Sequence, residues 1–309
     1  MIYTVTLNPA IDKTVVIENL TTGGVNRVVS AREDAGGKGI NVSKCLKNLG
    51  AETVAAMILA GQTGKRLSGM LEKMGIHMLR MHVEGENRVN LKIIDPVKGE
   101  NTDINEPGPV IDAKILEQLK QKLGKSVGKG DIVVLSGSLP AGVDKGLYGE
   151  WIRYFRSHEA SVLLDADGEP LRRGIDALPY MIKPNETELA ALLGKESLTR
   201  EEIIAEGRRL HEMGIPEVIV SLGGEGALFI NADGCFHAES LRVPVKSTVG
   251  AGDSMVAAIA YGKEKKLSRE QKIRLAVAMG AASVMQSGSQ PPESSLVWEL
   301  AKQVSIEKL

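Results

Sequence analysis

Apolar positions recur along this chain with two different periods. Short runs that are apolar nearly throughout read as strands covered on both faces: residues 2–7, 53–60, "DIVVLSG", "ASVLLDADG", "YMIKPN" and "EVIVSLGG". Between them the apolar spacing lengthens to three and four. That spacing predicts helices from "AGGKG" up to residue 50, over 63–74, 112–123 and 144–158, in "ETELAALLG", and over 199–213, 252–265 and 268–286. Strand and helix alternate, and that order builds βαβ units on a buried parallel sheet. Two stretches break the alternation. Residues 12–33 and 86–106 are polar and β-rich ("NRVNLKII", "NTDIN"), and read as a small lid inserted into one α/β domain spanning 1–309. "HMLRMHV" reads as a further short β piece and "GALFINADGCFHA" as a hairpin.

Composition removes several function classes. The chain has 309 residues, 43% hydrophobic and 25% charged, enough to bury a large core. A net charge of −1 and 3% aromatics supply neither the basic field nor the stacking faces that nucleic-acid binding needs. Cys45 and Cys235 stand alone, without the spacing of a zinc site or a disulfide framework. No apolar run is long enough for a membrane span or a secretory leader, so a cytoplasmic location and no membrane partner are expected.

The chemistry gathers where strands end. In open α/β sheets, ligands bind beyond the carboxyl ends of the strands. The exits here read "NPAID" with Asp12, "SGSLP", "DADG", "KPNETE", "SLGGEG" and "TVGAGD". "AGGKGIN" (35–41) lets the backbone approach a ligand at a helix N-terminus, or is a plain strand-to-helix turn. "GAGD" offers consecutive amides from Gly250, Ala251 and Gly252 as an anion nest. Asp253 then either caps the helix or stands beside the bound anion. The spacing of Asn185 and Glu188 puts both on one helix face, and fits a helix cap as well as a ligand site. Neither GxxxxGK[ST] nor a strand-following GxGxxG occurs, so phosphate is handled by neither of those turns.

In combination these motifs carry a resemblance. "AGGKGINVS" and "TVGAGDSMVAAIAYG", joined in order by "TLNPAID", "SGSLPAG", "IKPNETEL" and "VSLGGEGALF", resemble the ribokinase/PfkB carbohydrate kinases over essentially the whole chain. "MIYTVTLNPAID", "VNRV" and "GGKGINVSKCLKNLG" are similar to its phosphosugar branch, the 1-phosphofructokinases and tagatose-6-phosphate kinases. The resemblance implies a ribokinase-like three-layer αβα sandwich with a mainly parallel sheet and a small β lid. It also implies transfer of the γ-phosphate of ATP, with Mg²⁺, to a hydroxyl of a ketohexose phosphate. "NLKII" and "TDINEPGP" lean toward fructose 1-phosphate, with tagatose 6-phosphate as the alternative. A catalytically silent sugar-phosphate sensor is a third reading, against which the intact GAGD loop argues.

The resemblance also implies roles. Asp253 is the general base, and the amides of Gly250, Ala251 and Gly252 steady the moving phosphoryl group. Asp12, Gly36, Gly37 and Asn41 hold sugar hydroxyls, with Lys38 and Ser138 beside them. Arg27 and Arg88 clamp the phosphate already on the sugar, a task that suits the planar guanidinium fork. Lys183, Asn185, Ser221, Gly223, Gly224 and Gly226 line ATP, and Asn185 with Glu188 organises Mg²⁺ through water. A monovalent cation near the GAGD loop belongs to parts of the family, but no decisive ligand set is legible here. Exposed edges of the lid make it the expected face of a homodimer. Three departures stand out: Asp167 where relatives carry a small hydroxyl residue, Asn87 for a threonine before Arg88, and Ala258 where glycine is common. The first two lie where substrate or metal is expected to feel them.

Overall fold

The computed structural model describes residues 1–309 and sorts the two periods into two sheets. β1 (Ile2–Thr6) opens the main sheet, and β2 (Ala10–Val16) and β3 (Ser30–Gly36) leave it as a hairpin. α1 (Lys38–Asn48), β4 (Thr53–Ala60), α2 (Gly61–Lys73) and β5 (His77–Val83) return to it. β6 (Arg88–Asp95) and β7 (Glu100–Ile104) complete the small sheet. The alternation then resumes with α3 (Ala113–Gly124), β8 (Ile132–Ser136), α4 (Leu147–Ser157), β9 (Ser161–Asp165), α5 (Gly168–Ile175), β10 (Met181–Ile182) and α6 (Glu186–Leu192). α7 (Arg200–Glu212), β11 (Glu217–Ser221), β12 (Ala227–Asn231) and β13 (Gly234–Ala238) follow. The chain ends with α8 (Ala251–Glu264), α9 (Arg269–Val284), α10 (Ser294–Ala301) and β14 (Ile306–Lys308).

The main sheet is 10-stranded, in the order β14-β13-β12-β11-β10-β9-β8-β1-β4-β5. β5 through β11 run parallel, and β12, β13 and β14 add an antiparallel edge. Successive side chains take opposite faces, which is why the strands read as apolar throughout. Val133 and Leu135 of β8 join a core with Leu119 of α3, Trp151 of α4 and Leu210 of α7. Ile132 and Val134 join the opposite core with Val42 of α1, Val256 of α8 and Val297 of α10. This is the expected αβα sandwich.

The small sheet runs β3-β2-β6-β7. β2 pairs with β3 antiparallel and with β6 parallel, and every residue of β7 is exposed. Its strands begin at Ala10 and end at Gly36, beyond the expected 12–33, because their roots run into the core: Ile11 and Ala35 are buried. α5 escaped the sequence reading because Pro170 and Gly174 argue against a helix. Pro170 falls in the first turn, where a missing N–H costs nothing. α10 and β14 lie past the last expected helix, and β5 extends the main sheet as its parallel edge. No helix is long and apolar enough to cross a membrane.

Candidate active site

α8 starts from Gly250 at φ 81°, a left-handed conformation that glycine takes without strain. That turn leaves the amides of Gly252 and Asp253 with no acceptor in the chain, and Ala251 with only a 3.4 Å bond to the Thr248 carbonyl. No side chain caps this helix. The capping role open to Asp253 is therefore not taken up. Its Oδ2 instead accepts a 2.8 Å hydrogen bond from Asn41 Nδ2, across on α1, and the residue is 6% exposed.

Burial, and then the nearby charge of Asp165, push the Asp253 carboxyl up to about 6, against the pull of Lys38, Asn41 and Lys183. Asp165 ends β9 and is buried. Its Oδ1 stands 3.3 Å from Lys183 Nζ and 3.6 Å from Lys38 Nζ. These are ion-pair contacts rather than aligned hydrogen bonds. Burial opposes the charge on Asp165, but the two ammoniums outweigh it and hold the carboxyl below its ordinary value. Asp165 in turn raises Lys38 against burial. One carboxylate is thus locked ionised while its neighbour titrates near neutrality, the division of labour that acid–base chemistry uses.

Two clefts flank these residues, one including Gly252 beside Asp253 and the other Lys38. The larger, about 1180 Å³, is bordered by Asn185, Ser221, Gly223, Gly224 and Gly226 at the strand ends, and by Ala251 and Gly252 of α8. The smaller, about 190 Å³, has no hydrophobic lining residue, and includes Gly37, Lys38, Arg88, Ser138 and Asp167. Around it, Thr6 Oγ1, Asn8 Oδ1 and Ser136 Oγ are buried without a partner, as are Asn41 Oδ1 and Asn90 Oδ1 nearby. An unpaired buried polar atom costs about 1–3 kcal/mol, so this cluster is suited to receive a polar ligand. Asp12 is held by Asn90 Nδ2 at 3.0 Å. A Cβ on Gly36 would sit 2.5 Å from the Asp12 carboxylate, so glycine there is what makes room for it. Arg88 Nε donates to the Asn8 carbonyl at 3.2 Å. Burial lowers the Arg88 pKa, with Asp12 acting the other way.

Other expected residues are placed differently. Arg27 is exposed in the loop between β2 and β3 and lines neither cleft. Asn185 and Glu188 are engaged in a capping box on α6: Asn185 Oδ1 accepts from the Glu188 amide at 2.7 Å, and Glu188 Oε2 from the Asn185 amide at 2.9 Å. No three His, Cys, Asp or Glu side chains gather to hold a metal directly. Asn87 borders neither cleft. Its Oδ1 accepts from the Ala60 amide at 2.7 Å and its Nδ2 donates to the Ile58 carbonyl at 3.2 Å, closing the end of β4.

Residues 5–296 match the pfkB family of carbohydrate kinases. The chain belongs to this family. The 1-phosphofructokinase of Bacillus subtilis (strain 168) is 34% identical over 309 residues, 100% of both chains. Phosphofructokinase-2 from Escherichia coli, solved in complex with fructose-6-phosphate, superposes with a TM-score of 0.91 at 27% identity over 98% of each chain. That enzyme has also been solved with potassium and in a tetrameric inhibited form. Ribokinase from Thermotoga maritima, at 22% identity and a TM-score of 0.78 over 98% of this chain and 99% of its own, shares the fold.

In this pfkB kinase, two features went unread in the sequence. Asp165 was visible only as the first acid of "DADG" at a strand end; its two lysines come from remote segments. The irregular stretch Glu239 to Val245, which walls the large cleft, carries no pattern that could have disclosed it.

Proposed function

We propose that this pfkB kinase transfers the γ-phosphoryl group of ATP to the free hydroxyl of a ketohexose phosphate, with fructose 1-phosphate as acceptor and fructose 1,6-bisphosphate as product. The observation that carries the reading is one buried carboxylate of raised pKa, Asp253, at the start of a helix with free amides, between a glycine-lined cleft and an all-polar one.

In this reading the sugar occupies the small cleft, its hydroxyls facing Asp12, Asn41 and Asn90 and its phosphate facing Arg88. The nucleotide occupies the large cleft. Asp253 accepts the proton of the attacking hydroxyl, and the amides of Gly252 and Asp253 stabilise charge on the moving phosphoryl group. Lys38 and Lys183, both paired with Asp165, hold positive charge near it. Asn185 and Glu188 are the residues that would hold Mg²⁺, through water, and the ion would supply further neutralisation of phosphate charge when bound.

Fructose 1-phosphate is favoured by the full-length likeness to 1-phosphofructokinases. The sugar bound by E. coli phosphofructokinase-2 makes fructose 6-phosphate the second acceptor to try. ADP release from MgATP is measured with fructose 1-phosphate, tagatose 6-phosphate, fructose 6-phosphate and unphosphorylated ketoses. Turnover highest on fructose 1-phosphate is expected; ADP release independent of sugar would sink the reading. Val25, Val28, Val29, Val97 and Ile104 are exposed on the lid, apolar surface that fits pairing with a second lid. A monomeric mass by light scattering at working concentration would refute that dimer.

A further inference from the structure

Lys44 of α1 is 3% exposed and forms no ion pair. Its Nζ donates to the Ala35 carbonyl on β3 (2.7 Å), to the Ser289 carbonyl (2.7 Å) and to the Ser289 hydroxyl (3.3 Å). An ammonium buried without a carboxylate is expensive, and burial pushes its pKa down, with Asp34, Asp12 and Asp253 among the groups opposing. On β3 itself, Arg32 Nε donates to Asp34 at 2.8 Å, and Arg32 Nη2 to the Ser287 carbonyl. Gly288 leaves no room for a side chain beneath that guanidinium. Two cations therefore tie the root of the lid to one short stretch, residues 287–289.

That stretch backs the anion nest. A Cβ on Gly250 would lie 3.9 Å from both Ser289 Cα and Ser283 Oγ. The Lys246 and Ser247 amides bond the Val284 carbonyl at 2.7 and 3.1 Å, so the approach to the nest hangs on the same end of α9. On the other side, Asp34 stands opposite Asp12 in the β2–β3 ladder. A continuous path thus runs from Asp12 through Asp34 and Ala35, by Arg32 and Lys44, to Ser287–Ser289 and Gly250.

We propose that Lys44 and Arg32 are positioning residues that couple the lid to the anion nest, so that a phosphosugar held by the lid tightens the binding of nucleotide phosphates. The proposal rests on the reading of the small cleft as the sugar site. Neither residue touches a ligand. Each acts by joining two segments that separate ligands contact, which is what an energetic coupling between sites requires.

The test is the dissociation constant of MgADP, with and without saturating fructose 1-phosphate, for the unmodified protein, Lys44→Met and Arg32→Gln. In the unmodified protein the sugar is expected to tighten MgADP roughly 5-fold or more. In both variants that factor is expected to fall to within about 2-fold of one, while MgADP affinity without sugar changes less than about 3-fold. Full coupling in both variants, or none in the unmodified protein, overturns the proposal. Arg32 is part-exposed, so its variant tests the idea even where Lys44→Met fails to fold. Failure of fructose 1-phosphate to bind at all would instead strike the functional reading. The proposal is then judged by amide hydrogen exchange in the unliganded protein. Arg32→Gln must speed exchange at residues 250–254 as well as 30–36, and unchanged exchange at 250–254 overturns it.

Discussion

Replacing Asp253 by asparagine is expected to abolish activity and stabilise the protein in one step. The carboxyl is buried, and its pKa stands at about 6 against an ordinary 3.8. At about 1.4 kcal/mol for each tenfold in proton affinity, the difference disfavours the ionised form by roughly 3 kcal/mol. The sign follows from proton counting. Between pH 3.8 and about 6 the folded chain holds more protons at this site than the unfolded chain, so stability falls as pH rises through that window and stays lower above it. Asparagine carries no charge to bury and keeps an Oδ1 that can accept from Asn41. The variant should therefore match the unmodified protein below about pH 3.8 and exceed it increasingly up to about pH 6. The gain is at most roughly 3 kcal/mol, because Lys38 and Lys183 lose some compensating charge. At roughly 2.1 cal/mol/K per residue over 309 residues, unfolding entropy is about 0.65 kcal/mol/K, which converts the gain to at most about 5 °C in Tm. Melting curves at pH 4.5, 6 and 7.5, beside turnover assays, read both effects. Loss of a general base predicts a fall of about 10²–10⁴-fold in kcat. An equal Tm difference at pH 4.5 and 7.5, or a variant that melts lower at pH 7.5, would refute the reasoning.

Three further outcomes are expected. The pH profile of kcat/KM for the phosphosugar should have an acid limb near pH 6, and Lys38→Met should move it upward, since Lys38 favours ionised Asp253; an unmoved limb contradicts the electrostatics. Arg88→Ala should raise the phosphosugar KM by about tenfold or more through loss of charge-assisted hydrogen bonds, leaving the ATP KM nearly unchanged. Equal rises in both would count against a phosphate clamp. Asn87→Ala should cost about 1–3 kcal/mol in urea unfolding, because it orphans the Ala60 amide and the Ile58 carbonyl, with no change in sugar KM. A changed KM at unaltered stability would put Asn87 in the sugar site.

What the sequence determined by itself is whatever depends on a few neighbouring residues. Apolar runs of two periods defined the sandwich. Gly250 and the glycines of "AGGKG" marked the loops where a ligand can approach, because backbone freedom and free helix amides are local properties. The small β-rich sheet was legible in the same local way. Tertiary structure alone decided the charge state of Asp253 and Asp165. Burial and Coulomb energy are sums over segments remote along the chain. Two lysines from α1 and the end of β10 hold Asp165 ionised; burial and the charge of Asp165 leave Asp253 able to take a proton, against the pull of Asn41. The same dependence on remote neighbours committed Asn87 to β4, set Asn185 and Glu188 to capping α6, left Arg27 in solvent, and turned Lys44 from an ordinary helix lysine into a buried tie.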